Sequence, residues 1–489
     1  MVANWSLEGR IIEKFKNLFS NKIALSLISI YLLHLLGLIY TEDFGYALND
    51  LRIKLPLLGL PIVISTSDPL PTKQFIRLLW VFICACFITS IISCMIYSGL
   101  LQDNSIDNPH EISPFISHIR LSLSIVLAYL VLIWLFVKET KYIYLRFVYL
   151  SLATWFVLFI FILESMTGIV IFFLVSFLLF CRYIFFYQTR LFVKIISGIA
   201  FIISISAITY YIIDIKNSFM DIKDDLQHLE KYTLNGNPYR HNLRNKQIEN
   251  GHYVWIYISE EELRKEWNKR SALGYKGKDK KGQPLYSTIA RYLTSKGLRK
   301  DSLTLSSLTD NEIRNIENGI ANADFLQLNP LKKRIVQIIE EFHNYSLDHN
   351  PGGNSVTQRI EFWKTALHII KNNLLIGVGT GDVQQAFEQQ YVKDQSQLST
   401  EFRLRAHNQY LTMAVSFGIP GLVWFLFVLF YPLVRRENHN YLYISWSLIA
   451  AISMINEDTL ETQAGVTFFA FFASIFMFAL KQNDNTNCD

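Results

Sequence analysis

The sequence predicts an all-α polytopic membrane protein of about ten transmembrane helices, with one large helical domain outside the bilayer. Three observations predict it. Of 489 residues, 51% are hydrophobic and 18% charged, and the charges are segregated along the chain, the composition of a membrane protein with a soluble portion. Nine apolar stretches approach the roughly 20 residues that span a bilayer: 22–40, 75–98, 119–137, 142–162, 166–187, 190–213, 409–433, 440–456 and 463–480. Lys and Arg gather on one side of these stretches.

A tenth, weaker candidate is "LNDLRIKLPLLGLPIVIST", 48–66. Its Arg52 and Lys54 stand toward one end, where long basic side chains snorkel to the headgroups, and Pro56 and Pro61 are expected to kink it. With ten spans and a cytoplasmic N-terminus, the short non-cytoplasmic segments 41–49, 99–118, 163–168 and 456–463 hold no Lys or Arg. The opposite side holds Arg10, Lys14, Lys16, Lys22, Lys73, Arg77, Lys138, Lys141, Arg146, Arg182, Arg190, Lys194, Arg435, Arg436 and Lys481. The positive-inside rule then puts residues 214–408 outside the cytoplasm and both termini within it. The expected organisation is a membrane domain of about seven spans (1–213), an external helical loop domain (214–408), a second membrane domain of about three spans (409–480) and a cytoplasmic tail (481–489). The stretch before the first span is too long and too mixed in charge for a signal n-region, and "LIYTEDFG" lacks a small-residue cleavage pattern. The first span is expected to be retained.

Cys84, Cys86, Cys94 and Cys181 lie in apolar spans and Cys488 in the tail, which offers neither a disulfide framework nor a cysteine metal site. The external segment carries 28 Lys and Arg against 24 Asp and Glu. That near balance gives no reason to expect a nucleic-acid partner.

A structureless segment of this length would be exceptional, so 214–408 is expected to fold. "DIKDDLQHLEKYTLN" (221–235) reads as an amphipathic helix leaving the membrane, and "SEEELRKEWNKRS" begins with a Ser followed by acids, a helix-start signal. "GYKGKDKKGQP" reads as a loop. "LYSTIARYLTSKGLRKD", "SLTDNEIRNIENGIAN" and "PLKKRIVQIIEEFHNYSL" read as three further helices, with start signals around Asp310 and at Pro330. After the break "HNPGGNS" (349–355), Val356, Ile360, Trp363, Leu367 and Ile370 recur at spacings of three and four, one stripe of a helix beginning at 356 behind a Ser355/Gln358 capping box. Arg359 stands early in that helix, off the stripe. A second helix follows, with Val383, Phe387 and Tyr391 on one face.

Between these helices, "GVGTGD" (377–382) tempts a nucleotide-loop reading. Its spacing is not G-x-G-x-x-G, no strand precedes it, and it lies away from cytoplasmic nucleotide pools. A tight turn is the stronger reading, with a phosphate met by the second helix's free N–H groups as the lesser alternative.

Arg403, Arg405 and His407 stand in front of the span at 409–433, although the short non-cytoplasmic flanks otherwise avoid basic residues. If helical, Arg403 and His407 share a face. Arg405 alone reads as an interfacial anchor; the trio together points to something negative at the outer membrane surface. Arg120, at the outer start of its span, is either a second such residue or a snorkelling one, and Arg52 and Lys54 carry the same ambiguity. Arginines around one cavity suit a diphosphate: guanidinium groups bind phosphate oxygens bidentately and stabilise a phosphate leaving group without a metal. A histidine beside them can take a proton from an attacking hydroxyl. Glu42, Asp43, Glu457 and Asp458 read first as commonplace outer acids and second as an alternative, metal-dependent catalytic set. His228, His241, His252, His343 and His349 lack metal-ligand spacing.

"RIEFWKTALHIIKNNLLIGVGTGDVQQAF" followed by "RAHNQYLTMAVSFGIPGLVWFLF" resembles the signature of the O-antigen ligase and polymerase superfamily: an Arg shortly before a Trp, an N-x-L-x-G-x-G turn, then HN-x-x-L leading into a G-x-x-G span. "LESMTGIVIFFL" looks like the family's Ser-x-Thr-Gly helix start, with Met166 where an Arg is common, and the "LYSTIARYLTSKGLRKD" block looks like the long-loop ligases. The resemblance covers roughly the whole chain and is strongest to an O-antigen ligase. It implies a C-type glycosyltransferase fold in the bacterial inner membrane, with the large loop in the periplasm. It also implies metal-independent, inverting transfer of glycan from undecaprenyl diphosphate, with no cofactor. The acceptor it implies is lipid A-core for a ligase, another glycan for a polymerase, or a protein hydroxyl for an O-oligosaccharyltransferase. Arg359 and His407 match motif positions as catalytic residues, and Arg359, Arg403, Arg405 and Arg120 are carried over as diphosphate contacts. A glycolipid transporter is the alternative from another class; against it, no charged pathway runs across the spans.

Overall fold

The structure is a computed structural model and describes residues 2–101, 112–187, 190–348, 351, 355–434 and 440–480. The expected tail 481–489 with Lys481 and Cys488, the flanking Arg435 and Arg436, and His349 with most of the break beside it lie outside these residues. The chain forms two compact units, residues 1–189 with 358–489, and residues 190–357. The first unit is built almost entirely of helices, while the second combines helices with a short hairpin and long irregular stretches.

The first unit begins with α1 (Val2–Leu7), α2 (Ile11–Ser20), α3 (Lys22–Leu36), α4 (Phe44–Thr66), α5 (Thr72–Tyr97), α6 (His118–Lys138), α7 (Ile143–Ile162) and α8 (Met166–Arg182). The second contains α9 (Leu191–Met220), a two-stranded antiparallel hairpin of β1 (Ile248–Glu249) and β2 (His252–Tyr253), and α10 (Glu260–Arg270), α11 (Leu285–Ser295), α12 (Ser302–Ser306), α13 (Asp310–Glu317) and α14 (Pro330–Asp348). α15 (Ser355–Asn372) returns the chain to the first unit, which ends with α16 (Val383–Lys393), α17 (Gln409–Val434), α18 (Tyr441–Ser453) and α19 (Gln463–Phe478). Among the described residues, seven helices are long and apolar enough to cross a membrane: Lys22–Tyr40, α5, α6, α7, Met166–Phe186, α9 and α17. α18 and α19 are shorter apolar helices, and α4 runs 23 residues through both of its prolines. The protein is a multi-pass, all-α membrane protein.

In the first unit α6 is central: Ile125, Val126, Leu127, Ala128, Val131 and Leu132 are all fully buried, against α7, α8 and α18. α8 closes on α6 through Gly168, where a Cβ would stand 2.4 Å from that of Ser122. α4 packs between α3 and α19, and here the snorkelling expectation for Lys54 fails. Lys54 is 0% exposed, its ammonium 2.5 Å from Asp50 Oδ1 and 3.2 Å from Glu461 Oε2. An ammonium taken out of water needs opposite charge within contact distance, and two carboxylates provide it. Arg52, on another face of the same helix, is exposed and donates to Asn49.

α17 is broken inside its apolar run. Gly418 has φ 67 and ψ −172, and Ile419 N–H donates to Leu374 O at 2.8 Å. The carbonyls freed before the break, on Val415 and Ser416, accept from Val378 and Gly379 N–H at 2.9 and 3.0 Å. The "GVGTGD" turn thus supplies the donors that a broken helix would otherwise lack in lipid. It is fastened on its other side as well. The Asp382 carboxylate accepts from the N–H groups of Glu42 and Asp43, both at 2.8 Å, and Gly381 N–H donates to Thr41 Oγ1. The tight-turn reading holds. α15 differs from expectation in its buried face: Phe362, Ala366, Ile369 and Ile370 are buried with Val383, Phe387 and Tyr391 of α16, whereas Leu367 is 55% exposed. Ile370 and, in part, Trp363 of the expected stripe do pack there, and the buried face is shifted toward Phe362, Ala366 and Ile369.

The second unit has its own core, in which Trp267, Leu285, Ile289, Tyr292 and Leu293 of α10 and α11 meet Leu305, Ile313 and Ile316. α13 starts as expected, with a capping box between Thr309 and Glu312. Residues 221–235, expected as a helix, are irregular. Their side chains compete for the backbone: Asp224 accepts from Tyr253 N–H and pairs with His252 Nδ1, and Asp225 accepts from Gln227 N–H.

Gly418→Ala is expected to destabilise the first unit by at least about 1–2 kcal/mol from left-handed backbone strain, with the new Cβ 2.6 Å from Leu374 O adding to it. Thermal unfolding of the detergent-purified protein measures this; an unchanged midpoint would show that the break is not required.

Candidate functional site

Of the residues singled out in sequence, Arg359, Arg405, His407, Glu457 and Asp458 come together at one short loop, 454–462, between α18 and α19. It approaches four partners in turn. Asn456 Nδ2 donates to Thr167 Oγ1 at 3.4 Å, which ties the loop to the Ser-x-Thr-Gly start of α8, where Ser165 caps the helix by accepting from Gly168 N–H. Glu457 Oε1 lies 3.9 Å from an Arg359 guanidinium nitrogen. Asp458 accepts from the backbone N–H of His407 and of Asn408, both at 3.0 Å, and from Thr412 Oγ1 at 2.8 Å. Glu461 accepts from Arg405 at 2.9 Å and from Lys54.

The segment 403–408 that presents His407 is irregular, so the helical spacing expected of Arg403 and His407 does not apply. Each carbonyl or N–H is instead fixed separately. Tyr391 OH donates to Leu404 O, Trp363 Nε1 to Ala406 O, and Gln409 N–H to Met454 O, while the Gln409 side chain accepts from Leu460 N–H. His407 itself has φ 46, a conformation uncommon for a side-chain-bearing residue, and the two bonds to Asp458 hold it there. Its ring lies tilted beside Phe362 of α15, centroids 5.7 Å apart. Arg359, one turn earlier on α15, is therefore carried to the same place by a single helix.

Electrostatics divides the arginines. Arg359 and Arg120 both act on Glu457, whose carboxyl burial raises and these two cations partly restore. Arg405 does something different: its guanidinium is mostly buried, paired with Glu461 and 5.5 Å over the Tyr46 ring. Burial alone would raise the Glu461 carboxyl, but Lys54 and Arg405 together hold it well below the usual carboxylate range. Arg405 thus closes a buried ion cluster of Asp50, Lys54 and Glu461. Arg403 donates to Leu398 O at 3.1 Å and lies near Tyr391, and no described contact joins it to Arg359 or His407. Burial lowers the His407 imidazole below its ordinary value; Asp458 opposes this, and Arg359 and Arg405 reinforce it.

The acids divide too. Asp43 caps α4 by accepting from Tyr46 N–H, and Glu42 and Asp43 present their N–H groups to Asp382, while Glu457 and Asp458 are employed around Arg359 and His407. Among the described residues, no three His, Cys, Asp or Glu side chains are grouped so as to hold a metal ion. Sequence reasoning missed Glu461, Asp50 and Asn456, and noted Thr167 only as part of the Ser-x-Thr-Gly motif. The i, i+4 pair Asp50 and Lys54 was a readable signal; Glu461, far off in sequence, had none.

Glu461→Gln leaves Lys54 and Arg405 short of one buried countercharge, and is expected to cost about 3–5 kcal/mol of stability. The acid limb checks the same cluster. A carboxyl lowered by folding stabilises the protein above its unfolded value, about pH 4.3, and that stability is lost as pH falls through the lower folded value. Thermal unfolding between pH 3 and 7 should show this acid-labile component in the wild type and lose it in Glu461→Gln; identical profiles would refute the assignment.

No curated protein matches the chain. Residues 316–426, which carry Arg359, the "GVGTGD" turn, His407 and the break at Gly418, match the family model described as O-antigen ligase, so this stretch bears the domain of the O-antigen ligase and polymerase superfamily that its motifs resemble.

Proposed function

We propose that the protein is an O-antigen ligase of the bacterial inner membrane, transferring a polysaccharide from undecaprenyl diphosphate to a lipid A-core acceptor at the periplasmic face. One arrangement carries the reading: His407, clamped through its backbone by Asp458, lies with its ring beside Phe362 of α15, the helix that brings Arg359 to Glu457. In this reading the lipid tail of the donor lies between the spans, and Arg359 and Arg120 hold its diphosphate. The acceptor hydroxyl attacks the anomeric carbon while a ring nitrogen of His407 takes its proton. The bond from that carbon to the diphosphate oxygen breaks, and the guanidinium groups take up the charge left on the undecaprenyl diphosphate, so that no metal is needed. Arg405, expected among the phosphate contacts, is assigned to the ion cluster that holds the loop 454–462. Arg403 is left with a supporting role in its own loop.

Purified protein, given undecaprenyl-diphosphate-linked glycan and lipid A-core, should attach the glycan to the core. Elongation of the lipid-linked glycan alone would make it a polymerase instead, and the absence of any covalent product would favour transport. His407→Ala should lower turnover by about 10²–10⁴-fold and Arg359→Ala by about 10²–10³-fold, with the protein still inserted and folded. Wild-type turnover by either variant would remove that residue from the mechanism.

The pH profile gives a separate check. A general base works unprotonated, and burial has lowered His407, so the acid limb of kcat/KM should have its midpoint below about pH 6.5. A midpoint above that value would show that another group is the base.

A further inference from the structure

The second unit holds a cavity of about 700 Å³ that the transfer chemistry does not use. Four stretches well separated in sequence wall it: Arg240 to Asn242, Trp255 to Leu263, Tyr275 with Lys276, and Tyr286 with Ala290. Leu263 and Ala290, both buried, give it apolar lining, and Leu263 belongs to the same packed cluster as Trp267 and Ile289. Above it stand aromatic rings, with Trp255 and Tyr286 tilted at 54° and 6.3 Å between centroids. Charged and amide groups complete the wall: Arg240 and Glu260 face each other at 3.5 Å, with Lys276 and Asn242 beside them.

The walls are built in advance of any ligand. The Trp255 ring is fixed by its Nε1–H bond to Gln247 Oε1 at 2.9 Å. Both ring nitrogens of His241 are spent, Nδ1 accepting from Tyr257 N–H and Nε2 donating to Glu230 O. The loop bearing Tyr275 and Lys276 is moulded around Asp279, which accepts from Lys281 N–H, Gln283 N–H and Thr288 Oγ1. Asn242 Oδ1 accepts from Arg244 and Arg244's neighbour Asn245 through their N–H groups, which orients its amide.

We propose that this cavity is a carbohydrate-binding subsite for an oligosaccharide segment. A pyranose has C–H faces that lie flat on Trp and Tyr rings, and an equator of hydroxyls that needs planar donors and acceptors such as guanidinium, amide and carboxylate. The cavity offers both, in a volume within the range of about 300–1,000 Å³ for small-molecule sites. An acyl chain would find no partner for the polar edges of Arg240, Glu260, Lys276 and Asn242, and nucleic acid would meet the Glu260 carboxylate. The glycan comes from one of two sources, the donor polysaccharide or the acceptor core, and the subsite stands under either a ligase or a polymerase reading.

The test uses the full chain in detergent with two lipid-free probes, O-polysaccharide and core oligosaccharide released by mild acid from the lipopolysaccharide of the strain carrying this gene. Titration calorimetry should show saturable binding of at least one probe, which names the source. Trp255→Ala and Tyr286→Ala should each weaken it by about tenfold, the loss of one aromatic contact. Trp255→Phe, which keeps a ring, should retain most of it. Tyr286 is 43% exposed, so its truncation leaves the fold intact. Failure of both probes to bind, or wild-type binding by both alanine variants, would overturn the subsite without touching the transfer mechanism, because neither readout depends on turnover.

Discussion

The Asp458 carboxylate is the point on which the candidate site depends. Three donors converge on it from the segment that opens α17, two of them backbone N–H groups of consecutive residues. That convergence holds His407 in a left-handed conformation and places its ring against α15, which brings Arg359 with it. Its neighbours in the same loop extend the effect: Asn456 reaches the start of α8 and Glu461 the interior of α4. One loop of nine residues thereby collects α4, α8, α15 and α17 around a few polar side chains.

The charges that do this fall into two groups. Asp50, Lys54, Glu461 and Arg405 neutralise one another out of water, where any one of them alone would be prohibitive. Arg359 stands at a longer distance from its acid, 3.9 Å, and keeps part of its side chain accessible. A tightly paired ion cluster thus fixes the scaffold beside the longer, partly accessible pair of Arg359 and Glu457.

Much of this was legible in sequence because it is one-dimensional. Runs of apolar residues as long as a bilayer is thick gave the helices, and the Thr309/Glu312 signal gave the start of α13. His407 drew notice by standing with two arginines before an apolar run, and Arg359 entered through the family motif that the chain resembles. What was hidden involves partners far apart in the chain. A Lys that snorkels and a Lys that is buried against Glu461 look the same until the second helix is in place. The pattern at 221–235 has helical periodicity, yet Asp224 finds better donors in β2. Gly418 was read inside an unbroken span because nothing local announces that Leu374 O will capture the next N–H.

That captured N–H bears on how the protein is made. The "GVGTGD" turn leaves the ribosome before the helix that completes it, so the N–H groups of Val378 and Gly379 wait for carbonyls on Val415 and Ser416 that are synthesised later. The loop carrying Asp458 and Glu461 emerges later still. Assembly of the first unit is therefore closed by its last helical hairpin, and a nascent chain stopped before the loop 454–462 would lack Glu461, leaving Lys54 with Asp50 alone and Arg405 without that carboxylate.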